Sequence, residues 1–490
     1  MTSILELKEE RLKKLAKLKE AGFNPFVAHS DRNTSIKTFL ADFEKESGDK
    51  IILGGRIMSS RGQGNLIFFD LFDGSSELNE ESKVQAIIKN PESGQVPFDF
   101  YNEYLDIGDF VEVTGEKFLS KSGQKSILVK DIKILTKSLL PLPDKYHGLE
   151  NEELKMRLRY LDILTDKDIR ELFYKKAKFW KVIRQFLDEK GMLEVETPTL
   201  ESTTGGAEAR PFKTHHNDFD MDVYLRICIG ELWQKRLMAA GYAGTYEIGR
   251  AYRNEGSSPE HLQEFTNCEF YMPYTDYKGG MVMVKELYRK IAKEVFGKSK
   301  FEMKGFEFDL EDEWVEISYA DEIKKQTGLD IWESTDEDIK NKLEELGVKY
   351  EGTNRERLLD SLWKYCRKNI AGPAFVINPP LIIVPLAKPN DDGKTAQRFQ
   401  PILAGSEIGN GYSELNNPII QKENFETQQK LLEGGDEEAM MPDYEFVEML
   451  EHGMPPTCGF GFGDRLFSFL AGLPLRETIM FPLVKEKKDK

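Results

Sequence analysis

The sequence predicts an α+β protein in which a small β-rich domain precedes a larger domain of strands and helices. Three observations carry this. Five short β-rich runs crowd into about 90 residues near the N-terminus, separated by Gly, Asp and Ser turns. Apolar stripes at helical spacing lie before and after them. Two distant segments, Phe265–Tyr271 and Ile408–Asn416, each place a glutamate and a tyrosine at a spacing of two, which on a strand sends both side chains to one face.

Residues 4–21 form the first element, an amphipathic helix. Leu12, Leu15, Ala16 and Lys19 follow the i, i+3, i+4, i+7 spacing and Gly22 stops it. Lys8, Arg11, Lys13, Lys14 and Lys17 lie off that stripe, either as a solvated face or as a contact for an RNA backbone. Strands follow at Ile51–Met58, Leu66–Phe72, Val84–Lys89, Asp109–Lys117 and Ser126–Ile134. Five short strands of this length fit a small barrel such as the OB-fold, which often binds single-stranded nucleic acid. Phe68, Phe69 and Phe72 are candidates for base stacking, with at least one of them in the barrel core.

Pro141-Leu-Pro-Asp-Lys-Tyr-His147 reads as a hinge into the large domain. There a helix ends at Gly191, with Phe179, Val182, Ile183, Phe186 and Leu187 as its buried stripe. A short strand Met192–Glu196, a helix Leu225–Ala240 and strands Gly244–Tyr252 and Phe265–Tyr271 come next. Charged residues 335–370 form a helical insertion. The expected domains are a helix and lead-in at 1–44, a barrel at 45–138, a hinge at 139–155 and a large domain at 156–490, with the insertion at about 325–370.

Composition narrows the function. At 490 residues, 40% apolar and 31% charged, the chain has the make-up of a globular protein with more than one core. No run approaches the ~18 apolar residues of a membrane span, and the N-terminus is too polar for a secretory signal. Cys228, Cys268, Cys366 and Cys458 lack CxxC spacing and read as free thiols in a reducing cytosol. The net charge of −17 argues against wholesale nonspecific nucleic-acid binding, though not against a local basic track.

The chemistry concentrates in a few segments. Asn410, Tyr412 and Glu414 share a face, with Gly409 and Gly411 leaving room for a ligand. Glu269 and Tyr271 share another with Phe265 and Asn267. Together they can line a pocket for a small cation. Arg253 ends a strand and suits bidentate contact with phosphate. In Gly459-Phe-Gly-Phe-Gly463-Asp464-Arg465 the alternating glycines admit a flat ligand, and Arg465 opens the next helix. Glu407 is off the parity of Asn410, Tyr412 and Glu414, which predicts a bulge at Gly409.

These segments resemble the class II aminoacyl-tRNA synthetases. Gly191-Met-Leu-Glu-Val-Glu-Thr-Pro198 with its helix is similar to motif 1, Tyr252-Arg253-Asn-Glu255 with its loop to motif 2, and the glycine-rich strand with Arg465 to motif 3. Within the class, the chain resembles the bacterial-type lysyl-tRNA synthetases over nearly its whole length. That likeness also rests on Gly205-Gly-Ala-Glu-Ala-Arg-Pro-Phe212, Thr214-His-His-Asn217, Leu225-Arg-Ile227 and Glu407–Glu414.

The resemblance implies an OB-fold anticodon-binding domain, an antiparallel-sheet catalytic domain with flanking helices, and a cytoplasmic homodimer formed through motif 1. It implies lysine–tRNA ligase activity: ATP and L-lysine form lysyl-adenylate, and lysine passes to tRNA(Lys). Arg253, Arg465 and Glu407 would be catalytic. Glu255, His261 and Phe265 would join them in holding ATP. Gly206, Glu231, Glu269, Tyr271, Asn410, Tyr412 and Glu414 would hold lysine. Glu407 would bind Mg²⁺, and Gln400 stands where the family pattern has a second metal-binding glutamate. Phe68 and Gln85 match positions that meet anticodon bases. Leu262 and Gln263 replace the usual Asn-Pro after His261, motif 3 is one residue shorter before Asp464, the segment Arg226–Glu231 is one residue longer, and Gln124 replaces a glutamate. Two other readings are a lysyl transferase acting on a protein, against which the barrel argues, and a weakened RNA-binding paralogue, which Gln400 alone with the short motif 3 supports.

Overall fold

A computed structural model describes residues 3–45, 50–77, 80–143, 151–207, 209–350, 352, 354–435 and 439–486. Residues 144–150, the centre of the expected hinge, and Glu208 lie outside the described residues. The chain forms two compact units, Met1–Tyr174 and Lys175–Lys490.

In the first unit, strands β1 (Ile51–Gln63), β2 (Leu66–Phe72), β3 (Lys83–Lys89), β4 (Phe110–Leu119) and β5 (Lys125–Thr136) close a barrel in the order β1-β2-β3-β5-β4. Only β3 and β5 pair in parallel. Alternate residues fill the interior, among them Leu53, Ile57, Phe69, Val84, Val113, Ile127 and Ile134. Gly115 sits at a register break with β5 and would place a Cβ 2.2 Å from the Leu128 carbonyl oxygen, so only glycine fits this bend. A helix at Gln95–Tyr104, unread in the sequence, packs Phe100 and Tyr101 onto the barrel core.

The N-terminal helix runs Ile4–Glu20, capped by Ser3 with Glu6. Its inward face differs from the expected stripe. Arg11 and Leu18 are buried, and Leu12, Ala16 and Lys19 are exposed. The Arg11 guanidinium donates to the carbonyls of Ile107, Ser138 and Leu140 at 2.9–3.1 Å. Lys14 Nζ lies 2.7 Å from Asp106. These two cations dock the helix on the barrel and are unavailable as an RNA contact; a guanidinium fork meeting three carbonyls outweighs the burial of one more leucine.

In the second unit the strands are β6 (Leu193–Glu194), β7 (Leu200–Glu201), β8 (Lys213–His216), β9 (Met221–Leu225), β10 (Thr245–Tyr252), β11 (Glu264–Pro273), β12 (Lys300–Met303), β13 (Phe306–Asp309), β14 (Val315–Ser318), β15 (Ala374–Ile377), β16 (Arg398–Leu403), β17 (Ser406–Glu407), β18 (Asn410–Ser413) and β19 (Thr457–Gly463). The main sheet runs β14-β15-β16-β18-β19-β11-β10-β6 and is antiparallel except at its two ends. The helix Lys167–Glu189 carries the expected stripe, with Phe179, Val182, Ile183, Phe186 and Leu187 all buried.

Two expectations are corrected. The helix read over 225–240 begins only at Glu231: Leu225 ends β9, and Gly230, at φ +62°, turns the chain before the helix Glu231–Ala239. The strand read over 192–196 is only two residues long. The helical insertion holds Asp336–Glu345 and Arg355–Cys366, which pack with Tyr319, Ile323 and the β16 residue Ile402.

Candidate active site

The site is built on the middle of the main sheet, where β19 lies between β18 and β11. Gly459 faces Tyr412 on one side and Tyr271 on the other. Gly461 faces Asn410 and Glu269, and Gly463 faces Asn267. A Cβ at Gly459 would lie 2.3 Å from Glu414 Oε1, and one at Gly463 1.9 Å from Asn267 Oδ1. The glycine row is thus a floor between two walls of functional side chains. On the opposite face of β19, Phe460 and Phe462 enter the core beside Phe399 and Tyr288.

The expected bulge is present. Ile402 pairs with Glu407 and Phe399 with Gly411, so Gln400 and Pro401 lie opposite three residues, Ile408, Gly409 and Asn410. The extra residue lets Glu407 and Asn410 both face the site. The shortened motif 3 keeps a continuous register: β11 and β19 pair from Pro273 with Thr457 to Asn267 with Gly463, and the helix Asp464–Ala471 starts at once. Asp464 is buried, accepts from the Thr266 N–H and pairs with Lys176 at 2.9 Å, which fixes the turn that presents Arg465.

A cavity of about 380 Å³ lies over this floor. It brings together the expected ATP residues Arg253, Glu255, His261, Phe265, Glu407 and Arg465, along with Gln400 and Asn410. The Arg253 guanidinium stands 5.4 Å from the centre of the Phe265 ring, and its Nε donates to Ile227 O. His261 Nδ1 meets Ser258 Oγ at 2.8 Å in the loop turn. Glu407 Oε1 accepts from Trp363 Nε1 at 2.7 Å, with Arg367 3.6 Å away.

The expected lysine residues also converge. Tyr412 OH donates to Glu231 Oε1. Tyr271 OH donates to Glu269 Oε2 at 3.2 Å, and the Ile229 N–H donates to Glu269 Oε1 at 2.8 Å. Gly206 lies against Glu231, where a Cβ would come within 3.0 Å of the glutamate's own. Burial, together with the Glu231 charge, pushes the Glu269 carboxyl up to about 7. Burial pushes Glu414 up to about 8, with Lys235 pulling against it and Glu231 adding to it.

Sequence reasoning missed four supporting residues. Lys235 is 1% exposed, and its Nζ bridges Glu231 Oε1 at 2.9 Å and Glu414 Oε2 at 2.6 Å. Burial disfavours its charge, but the two carboxylates outweigh that and hold it above the ordinary lysine value. Its i, i+4 spacing from Glu231 was the available signal. Arg398 Nε donates to Asn410 Oδ1 at 2.6 Å, which turns the amide NH₂ of Asn410 away to serve a ligand. Trp363 fixes Glu407. Arg226 pairs with Glu247 at 2.6 Å and donates to Arg250 O, bracing the strand that ends at Arg253.

In the first unit, Phe68 and Gln85 lie on the outer barrel face, since Phe68 pairs with Ile87 and Asp70 with Gln85. Arg61 covers the Phe68 ring at 5.1 Å. Gln85 is buried, 6% exposed, and its Oε1 accepts from Ser126 Oγ at 3.4 Å. Phe69 is core and Phe72 is buried, so Phe68 is the ring of the three with an open face.

Comparison with known proteins agrees with this geometry. The family of class II tRNA synthetases (D, K and N) matches residues 151–485, and the OB-fold nucleic acid binding domain matches residues 51–135. The chain is 41% identical to the lysine–tRNA ligase of Thermotoga maritima, over 99% of this chain and 97% of that one. It is 40% identical to the corresponding ligases of Thermoanaerobacter pseudethanolicus (99% and 97% covered) and Clostridium tetani (98% and 96%). A two-unit chain with an OB-fold barrel and a class II sheet is a class II aminoacyl-tRNA synthetase. Within that class, the chain belongs to the lysine–tRNA ligase family.

Proposed function

We propose that the protein activates L-lysine with ATP and transfers it to the 3′ end of tRNA(Lys), with 156–490 as the catalytic domain and 45–138 as the anticodon-binding domain. The observation that carries this is the trio Glu231, Glu269 and Glu414 beside the Arg253–Phe265 cavity. Three buried carboxylates are costly unless cations meet them, and within the protein Lys235 supplies one positive charge for the three. Lysine brings two ammonium groups. A site specific for an acidic amino acid would instead present an unpaired cation to the substrate, whereas Lys235 is already paired with two carboxylates.

The chemistry needs no enzyme nucleophile. A lysine carboxylate oxygen attacks the α-phosphorus, the bond to the β-phosphate bridge breaks, and the electron pair leaves with pyrophosphate. Positioning and charge neutralisation suffice. Arg253 holds the carboxylate against the α-phosphate, and the Asn410 NH₂ is free to donate to the substrate. The adenine stacks on Phe265. Glu255 and His261 hold the nucleotide, and Arg465 meets the far end of the triphosphate.

Mg²⁺ fits the residues present. One oxygen of Glu407 is tied to Trp363, which leaves the other, and the Gln400 amide oxygen lines the same cavity. Mg²⁺ takes few protein oxygens when phosphates supply the rest. When bound, it would neutralise phosphate charge.

Phe68 stacks an anticodon base, with Arg61 and Gln85 beside it. A homodimer through the motif 1 segment is supported by the exposed Leu193, Leu200 and Phe219. Among the described residues no helix is long and apolar enough to cross a membrane, and a cytoplasmic location accords with four free thiols. The test is ATP–pyrophosphate exchange with each amino acid in turn, without tRNA. Exchange with lysine alone is expected; exchange with another amino acid, or none, refutes the assignment.

A further inference from the structure

The helix Lys167–Glu189 grips the helix Asp464–Ala471 at two points. Phe179 meets Phe467 with ring centres 5.4 Å apart, and both are fully buried. Three residues earlier on each helix, Lys176 Nζ stands 2.9 Å from Asp464 Oδ1. Residues three apart share a helix face, so the ion pair and the rings lie along one seam. The Asp464 side chain is 1% exposed and that of Lys176 14%. The Lys176 ammonium also donates to Thr478 O at 2.9 Å. Thr478 closes the turn Leu475–Thr478, which follows the second helix.

Both partners of that ammonium lead to the ATP cavity. Arg465 is the residue after Asp464. Gly463 offers no side chain to cap the helix, so the Asp464 carboxylate pins its first turn, with one oxygen on Lys176 and the other on the Thr266 N–H at 3.1 Å. In the turn, Leu475 lines the cavity and the Arg476 N–H donates to Pro259 O at 3.1 Å. Pro259 belongs to the Ser258–His261 loop, whose Glu260 and His261 line the cavity as well. Removing the ammonium leaves a buried carboxylate without its cation, which drives the carboxylate toward water. Arg465 moves with it, and the turn loses its anchor.

We propose that Lys176 is a positioning residue for nucleotide binding: its ammonium sets the spacing between Arg465, held through Asp464, and the Ser258–His261 loop, held through the turn Leu475–Thr478. The inference rests on the activity proposed above. Lys176 does not itself line the ATP cavity, so it acts only through these two links. Neither link is made to Glu231, Glu269 or Glu414, so lysine binding is spared. A guanidinium can reproduce both contacts, since it carries the charge and several donors, and a thioether can reproduce neither.

The test is ATP–pyrophosphate exchange with Lys176→Met and Lys176→Arg. The KM for ATP should rise at least tenfold in the methionine variant, with the KM for lysine within twofold of the parent. The arginine variant should bring the KM for ATP back to within threefold. Lys178→Met, exposed on the same helix, should change neither. A structural role alone would lower the folded fraction, and so kcat, with both KM values unchanged; that result, or a KM for lysine that rises as much as the KM for ATP, overturns the proposal. Asp464→Asn removes the same ion pair from the other side and keeps an oxygen for the Thr266 N–H. It should raise the KM for ATP at least fivefold, and an unchanged value overturns the proposal even if Lys176→Met does not fold. Absence of lysine-dependent exchange in the unmodified protein would refute the activity, not the positioning role. Calorimetric binding of ATP to parent and Asp464→Asn then decides it, a fivefold weakening supporting the role, and equal binding, or binding to neither, overturning it.

Discussion

Lys235→Met should destabilise the second unit by about 3 kcal/mol at pH 7 and by much less in acid. Methionine fills the volume of the lysine stem, so packing against Tyr412 and Phe446, whose ring centres lie 5.4 and 5.8 Å from Nζ, is kept. What is lost is the ammonium 2.9 Å from Glu231 and 2.6 Å from Glu414. Removing one member of a buried ion pair costs about 3–5 kcal/mol, because the partner's charge stays buried. Protonation caps that loss. An ordinary glutamate titrates near 4.5, so taking up one proton at pH 7 costs about 3.4 kcal/mol, and at pH 5.5 about 1.4 kcal/mol. The carboxyl left unpaired has a folded-state value above its unfolded one. Its contribution is therefore intact below about pH 4.5 and is lost as pH rises. Urea denaturation without lysine, followed by tryptophan fluorescence at pH 7 and 5.5, measures both numbers. A loss under about 1 kcal/mol at pH 7, or the same loss at both pH values, would show that Lys235 does not neutralise a buried charge.

The pocket's own titration gives a second outcome. With Glu269 at about 7 and Glu414 at about 8 in the empty site, and an ammonium bound by the ionised form, calorimetric affinity for lysine should rise from about pH 6 to about pH 8 and then level. The ligand-free thermal midpoint should fall from about pH 4.5 to about pH 8, because in that range the folded state holds protons that the unfolded chain has released; an affinity flat from pH 6 to pH 8 contradicts the assignment. Arg253→Ala should lower exchange about 10²–10³-fold, and Arg253→Lys should restore little of it, because an ammonium cannot bridge carboxylate and phosphate bidentately. Arg398→Met frees the Asn410 amide to rotate, so the KM for lysine should rise about fivefold with the KM for ATP unchanged, the weight of one oriented hydrogen bond. Phe68→Ala should raise the KM for tRNA about tenfold and leave tRNA-independent exchange untouched, as loss of one stacked base predicts.

What the sequence could disclose here followed from local geometry. The alternation of Gly459, Gly461 and Gly463, and the glutamate–tyrosine pairs on two strands, are period-two signals that survive without knowing which strands are neighbours. The parity conflict between Glu407 and Asn410 was enough to place the bulge at Gly409. That β19 lies between β18 and β11, so that its glycines become the floor, is not in any local pattern. Those pairings join residues about 50 and 190 positions apart.

Two of the misreadings concern charge placed inside. Reading the N-terminal helix by its leucines rotated its inward face by one residue, because Arg11 and Lys14 bind carbonyls and a carboxylate of the barrel and so take the place that hydrophobicity assigns to Leu12. Lys235 escaped for the opposite reason: a glutamate and a lysine four apart on a helix read as an ordinary stabilising surface pair, and only the tertiary structure shows that this pair is buried and shared with Glu414. Gly230 hid a turn inside an apolar run, so Leu225–Ile229 read as helix. A motif marks the residues that meet the ligand, since their spacing is set by the ligand. Their buried counterions answer only to the neighbours that folding supplies.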